Sequence, residues 1–572
     1  MSEIMKIVSS QYKHLPTNDD GIVEERVISS LSALQNEPVS FQVLYRAPKE
    51  IRCFPAGVQF DSDLPIACYR VDSVAVPCVA NPYHERGFAS DRPGVFPDIL
   101  FPRPVAPSLE KLTTAWGSEW YFEQGAEHLL NATDECFQSV WVTVNEDREI
   151  LPPGEHCITI KLMSYDSGRI IAEQTLSLSI VNATLPDCDV YYTNWLHVDS
   201  LCDTFGVSPY SDAFYEIFDE HIANMTKHGQ NMLLLPAFTP SLDTKPGYER
   251  MNVQLVDVER EGDGWKFSFE KLRKFVRHAL AGGITSFEHT HLFSQWGACG
   301  APNIYLADGA RIFSLATDAG GQEYIGFIRA YLTAFLAFAE EEGIGDRVIF
   351  HLSDEPYLEH LEAYRRASEA VRDLLEGKIV ADAMSEPIYY TEGLLNQPIV
   401  DVSKAKAFEE TCPSFWLYYT GGNYERNCAN RMITNTPART RVLGVQMYRY
   451  KALGFLHWAY NYYYDRLSAG FFSPLSTVGG YKQYPGLSYL VYPMPYGRGG
   501  VHVLPSIREK LMAEAMNDLM ALKLLESLIG RDETLAICES RLGEITTETI
   551  PEGEDLRELR EEINRRIASA IG

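Results

Sequence analysis

Two adjacent carboxylates, Asp354 and Glu355, close the segment VIFHLSDEPY (348–357), after a run of β-formers and just before a proline. Their Cα atoms must lie about 3.8 Å apart, so the two cannot easily flank opposite faces of a sugar ring. A common retaining glycosidase needs that flanking, with carboxylates roughly 5 Å apart on either side of the scissile bond. Side by side, the pair suits a different chemistry. One acid protonates a leaving oxygen, while its neighbour holds the N–H of a 2-acetamido group whose own carbonyl oxygen attacks C1. The plain alternative is that Asp-Glu before proline simply opens a helix, since acids favour a helix's first turn. Two acids in one partly dry cleft also repel, which raises one of their pKa values. The assisted mechanism calls for an ionised Asp354 beside a protonated Glu355.

Elements that could position this pair alternate along the middle of the chain. From 188 to 530, eight β segments recur (190–199, 231–238, 284–293, 347–356, 379–384, 398–403, 414–423 and 454–464), mostly with amphipathic helical runs between them. That is the pattern of a (β/α)₈ TIM-like barrel. Residues 1–187 read instead as short alternating strands separated by Pro, Gly, Asp and Asn turns, the pattern of an antiparallel β-sandwich. Residues 531–572 form a short, charged helical tail, an element for packing or assembly.

In such a barrel the site lies at the C-terminal ends of the strands. Those ends are loaded with groups that stack on sugar faces or bond to hydroxyls. The candidate substrate contacts are Asn194, His197, Asp199, His289, Asp382, Trp416, Tyr418, Tyr419, Trp458 and Asn461, with Asp354 and Glu355 as the catalytic pair. Strand seven, SFWLYYTGG, carries no acid where many retaining barrels place their nucleophile. If a protein nucleophile exists, the candidates are Glu288, Asp382 and Glu425. The string EHTH (288–291) could ligate zinc, yet no HExxH or CxxC accompanies it, and the expectation is no metal. Without a G-x-G-x-x-G after a strand or a Walker loop, no nucleotide cofactor is expected.

HLSDEP is similar to the Asp-Glu-Pro signature of glycoside hydrolase family 123. NEPVSFQVLY, FPDILFP and VWVTVNEDREILPPGEHCITI resemble that family's sandwich domain. YYTNWLHVDSL resembles its first barrel strand, GFLHWAYNYY its eighth, and PSIREKLMAEAMNDLMAL its closing helix. The likeness runs over roughly residues 30 to 530. It implies an exo-β-N-acetylgalactosaminidase-like activity by substrate assistance, on an oligosaccharide or glycoconjugate. Glu355 would be the acid/base and Asp354 the residue that orients the acetamide. Tyr418 or Tyr419 would cap the acetamide oxygen, and Trp458 would floor the pocket.

Bulk composition narrows the partners. The net charge of −28 over 572 residues opposes binding to nucleic acid or an anionic membrane surface. No run of 18 apolar residues occurs, so no membrane span is expected. Eleven cysteines without regular spacing, and an N-terminus lacking an apolar signal region, lead to the expectation of a reducing cytoplasm. A sandwich edge leaves room for homo-oligomer contacts.

Overall fold

The computed structural model describes residues 4–572 apart from 19, 80–85, 91, 104–108, 114–118, 124–129, 166, 241–248, 422–427, 480–483 and 495–500. The N-terminal region is a sandwich of two five-stranded sheets. In the first, Val39–Tyr45 and Gln138–Val144 pair antiparallel at the centre. In the second, Gly154–Ser164 pairs antiparallel with Arg169–Val181 and Cys53–Asp61. Alternation sends Phe41, Val43, Val140 and Val142 inward from one sheet, to meet Val58, Ile158, Ile160 and Leu176 from the other. The edge strand Ser30–Leu34 runs parallel to its neighbour, a departure from the otherwise antiparallel pattern.

Eight parallel strands follow: β1 (Tyr191–Asn194), β2 (Met232–Leu235), β3 (Ser286–His289), β4 (Val348–Phe350), β5 (Ile379–Met384), β6 (Gln397–Asp401), β7 (Trp416–Tyr418) and β8 (Gly454–His457). They form one sheet in the order 1-8-7-6-5-4-3-2. The β1–β2 seam is closed by amide side chains. Asn231 accepts from Tyr192 N–H through Oδ1 and donates to Val190 O through Nδ2, while Gln230 exchanges bonds with Asn194. The interior holds Met232, Leu234, Ile349, Ala381, Ala383, Ile399, Trp416, Tyr418 and Leu456. Alternate residues such as Tyr192, Leu233, Phe287, Phe350, Leu417 and Phe455 face the helical layer.

Several strands are shorter than the sequence suggests. β3 ends at His289 and β7 at Tyr418, because beyond those points the chain bends into the loops that build the mouth.

The closing helix Ile507–Ile529 buries charged residues as well as apolar ones, since it is wedged between barrel and sandwich. Arg508 Nε donates to Asp98 at 2.9 Å, and Arg441 forks onto Asp518. The tail is two helices, Arg531–Leu542 and Asp555–Ile571, whose Ile537, Leu556, Leu559, Ile563 and Ile567 join the barrel's outer core. Among the described residues, no helix is long and apolar enough to cross a membrane.

Candidate active site

Beyond β4 the chain turns sharply at the mouth of the barrel. Glu355 takes φ 44°, a left-handed conformation that costs energy for a non-glycine residue and recurs at functional sites. The turn is fixed from several sides. Glu355 N–H donates to Ala383 O, and Trp296 N–H donates to Asp354 O. Ser353 Oγ donates to Ser294 O at 2.8 Å, and the N–H groups of Leu352 and Ser353 both donate to Asp382 Oδ2.

The two acids receive different donors. Tyr418 Oη donates to Glu355 Oε1 at 2.9 Å, and the nearby Trp296 side chain acts in the same direction, favouring the ionised carboxyl. Asp354 Oδ2 accepts from Gln295 Nε2 at 2.9 Å. Burial raises both pKa values. For Asp354 the Glu355 and then the Asp382 charge add to it. For Glu355 the Tyr418 donor opposes burial, and the Asp401 charge reinforces it. The two carboxyls titrate as one unit, and each favours its protonated form more than a free carboxyl does.

Beneath the pair lies a buried ionic cluster. Glu288 accepts from Thr193 Oγ1 and, through Oε2, from Trp195 Nε1 and His351 Nε2, both at 2.9 Å. His351 Nδ1 stands 3.4 Å from Asp382 Oδ1. Burial alone would lower the His351 pKa, but the two flanking carboxylates push it up to about 10. The charged imidazolium is thus held between the Glu288 and Asp382 carboxyls. His291, His351 and Asp382 bring potential ligand atoms within 4.8 Å of one another. The two imidazoles, however, stack at 24° with centroids 4.8 Å apart. An ion in the plane of one ring lies off the plane of the other, which is poor geometry for shared ligation.

The other candidates fall into three groups. Tyr418 faces the interior mouth and touches Glu355, Trp458 packs on the same interior cluster beside His197 and Tyr462, and Trp416 lies deeper, stacked on Tyr191 at 4.9 Å. His197, Asp199 and Asn461 brace the rim between β1 and β8. Asn461 Oδ1 accepts from His197 N–H, and Arg250 bridges Asp199 and His197. Asn194, His289, Asp382 and Tyr419 sit on the outward phase of their strands. Asn194 bonds to Gln230 and Arg431, and His289 to Tyr331. Asp382 accepts from Tyr364, while Tyr419 Oη reaches Met512 Sδ. Period-two alternation is the reason: a residue one place from an inward neighbour points away from the lumen. The same rule brings in Asp401, at the inward end of β6, whose charge reaches Glu355.

Gln295 and Trp296 were not legible as site residues, because nothing in a long loop after β3 announces that it folds back onto β4. Of the nucleophile candidates, Glu288 and Asp382 are fully buried and committed to the bonds above, and Glu425 lies outside the described residues.

Comparison with known proteins agrees with this architecture. Residues 195–525, more than half of the chain, match the glycoside hydrolase 123 catalytic domain, and the chain belongs to glycoside hydrolase family 123. Its fold is similar to a family 123 glycoside hydrolase from Clostridium perfringens, with TM-score 0.71 and 14% identity over 99% of this chain and 97% of that one. Far weaker likenesses join it to a family 39 glycoside hydrolase from Bacteroides cellulosilyticus (TM-score 0.31, 10% identity, 86% of this chain and 81% of that one). Another is to a family 5 mannosidase from Rhizomucor miehei (TM-score 0.32, 11% identity, 58% and 93%). No curated protein matches.

Proposed function

We propose that this glycoside hydrolase is a retaining, exo-acting β-N-acetylgalactosaminidase that uses the substrate's acetamido group as nucleophile. The observation that carries the reading is the pair itself: adjacent carboxyls at the barrel mouth, Asp354 buried and Glu355 half-buried, each accepting a hydrogen bond from its own donor.

In the proposed reaction the C1–O bond to the leaving group breaks as Glu355 delivers its proton to the departing oxygen. The acetamido carbonyl oxygen bonds to C1 from the opposite face, giving an oxazolinium ion whose N–H is held by ionised Asp354. Glu355, now a carboxylate, takes a proton from water as the water attacks C1 and reopens the ring, so configuration is retained. Substrate itself sets the protons in place. The arriving acetamide N–H gives Asp354 a second donor, which favours its anion and leaves the proton to Glu355.

Glycoconjugate substrates are supported by the Clostridium perfringens relative, which acts in glycolipid glycan hydrolysis. A cytoplasmic location is part of the proposal and is supported by the irregular spacing of the eleven cysteines.

A second reading has one observation in its favour. Asp401 stands at the mouth end of β6 with a charge that Glu355 feels, and it could act as a protein nucleophile. An N-acetylgalactosamine-derived thiazoline separates the two, because it mimics only the oxazoline. Under the proposed reading the thiazoline inhibits competitively, and Asp401→Asn costs about 10- to 100-fold, the worth of a hydrogen bond to a hydroxyl. An enzyme indifferent to thiazoline, with Asp401→Asn inactive, would establish the alternative.

A further inference from the structure

The loop 294–300 carries features that the assisted reaction does not use. Trp296, Gly297 and Ala298 take φ 55°, 114° and 56° in succession, two of them non-glycine residues in the left-handed region. The loop is pinned in that shape. Ser294 N–H donates to Gly300 O, Gly300 N–H to Ser294 Oγ at 2.9 Å, and Ala298 N–H to Ser294 O. Gly297 lies against the next wall: a Cβ there would come within 2.6 Å of His360 Cγ. His360 in turn accepts from Tyr357 N–H through Nδ1 at 3.1 Å and stands 5.7 Å, ring to ring, from Tyr357.

This strained frame holds two large aromatic rings in water. Trp296 is 49% exposed and Tyr357 59%, though burying either would be favourable. Neither is an isolated surface residue. The Trp296 backbone N–H donates to Asp354 O, and its side chain lies close enough to act on the Glu355 carboxyl. Tyr357 is two residues beyond Glu355, and its carbonyl is held by Tyr389 Oη at 2.6 Å.

A general acid must lie beside the oxygen that leaves, so the leaving group departs along the acid's own side of the cleft. The interior side, with Trp458, Tyr418 and Asp354, belongs to the sugar that is cleaved off. We propose that Trp296 and Tyr357 form the leaving-group subsite, an aromatic platform on which the pyranose next to the terminal sugar stacks. In this arrangement Trp296 reads the leaving group from beside Glu355. The site thereby selects a glycan or glycoconjugate in which a further sugar follows the terminal one. The assignment rests on the substrate-assisted reading above.

The test compares two substrates: a β-linked N-acetylgalactosaminyl disaccharide, which fills both subsites, and N-acetyl-β-galactosaminyl fluoride, which fills only the first. Trp296→Ala and Tyr357→Ala should each lower the ratio of kcat/KM for disaccharide over fluoride by about 10- to 100-fold, largely through KM. Trp296→Phe, which keeps an aromatic ring, should retain most of that ratio. Thiazoline affinity reports the first subsite and identifies a variant that has merely lost its shape. A ratio within about threefold of wild type in both alanine variants overturns the proposal. So does an equal fall on both substrates accompanied by lost thiazoline binding, which would make the loop a structural brace. Wild-type enzyme inert to fluoride, disaccharide and thiazoline alike overturns the assisted reading, and this assignment with it.

Discussion

Tyr418 Oη donates to Glu355 Oε1 across 2.9 Å, from the end of β7 to a residue held at φ 44° beyond β4. The position that carries a nucleophile in many retaining barrels is occupied here by a hydrogen-bond donor aimed at the acid. A donor to a carboxylate stabilises its anion and lowers its pKa, against the burial that raises it. Tyr418 thus favours the Glu355 anion where burial disfavours it.

Removing that donor should show in the pH dependence. In Tyr418→Phe the Glu355 anion loses stabilisation and its pKa rises. The alkaline limb of kcat/KM, where the pair gives up its last proton, then moves to higher pH. A pH–rate series on wild type and variant checks this. An unmoved limb would mean that Tyr418 only fills space.

Asp354 offers a stability test. Its carboxyl is raised by burial and by neighbouring charge, so the folded state binds the proton more tightly than the unfolded chain. Stability from this group is complete below the ordinary aspartate range and is lost as pH rises through the raised folded value. Asp354→Asn should therefore melt higher than wild type at pH 8, with the gap closing toward pH 4, while activity falls on every leaving group. Thermal melts across that range measure it. A lower melting temperature at pH 8 would contradict the assigned burial.

How much of this could be read from the chain depends on what kind of signal carried it. The eight barrel strands and the sandwich were legible because alternation and helical spacing are local patterns. The Asp354–Glu355 pair was legible because strand four ends in a recognisable string. Facing was harder. Asn194, His289, Asp382 and Tyr419 sit at the correct end of their strands but on the outward phase. A strand of four residues gives too few alternations to set its phase by inspection. Gln295 and Trp296 depend on a loop folding back about 60 residues along the chain, which only tertiary packing determines. Asp401 needed both: the β6 assignment and its inward phase.

The tail is part of the same body as the barrel and sandwich, and one arginine shows how. Arg560 donates to Glu37 of the sandwich at 2.6 Å, to Asp518 of the closing helix at 3.3 Å, and to Asn564 at 3.0 Å, all buried. Replacing it with methionine leaves buried Glu37 without its cation, while Asp518 keeps Arg441, and should cost about 3–5 kcal/mol. Denaturant unfolding of Arg560→Met reads this directly. A loss under about 1 kcal/mol would mean that the tail docks by its apolar face alone.

The central claim is that the substrate's acetamide replaces a protein nucleophile. Its most direct test is release of p-nitrophenol from β-N-acetylgalactosaminide, β-N-acetylglucosaminide, β-galactoside and β-glucoside, with wild type and Glu355→Gln. The account predicts turnover of the 2-acetamido sugars alone. Glu355→Gln should weaken it by less than the roughly 10²–10⁴-fold typical of a lost acid/base, because p-nitrophenolate leaves with little protonation. Comparable turnover of the galactoside or glucoside would contradict it, since those sugars carry no group that could form the oxazoline.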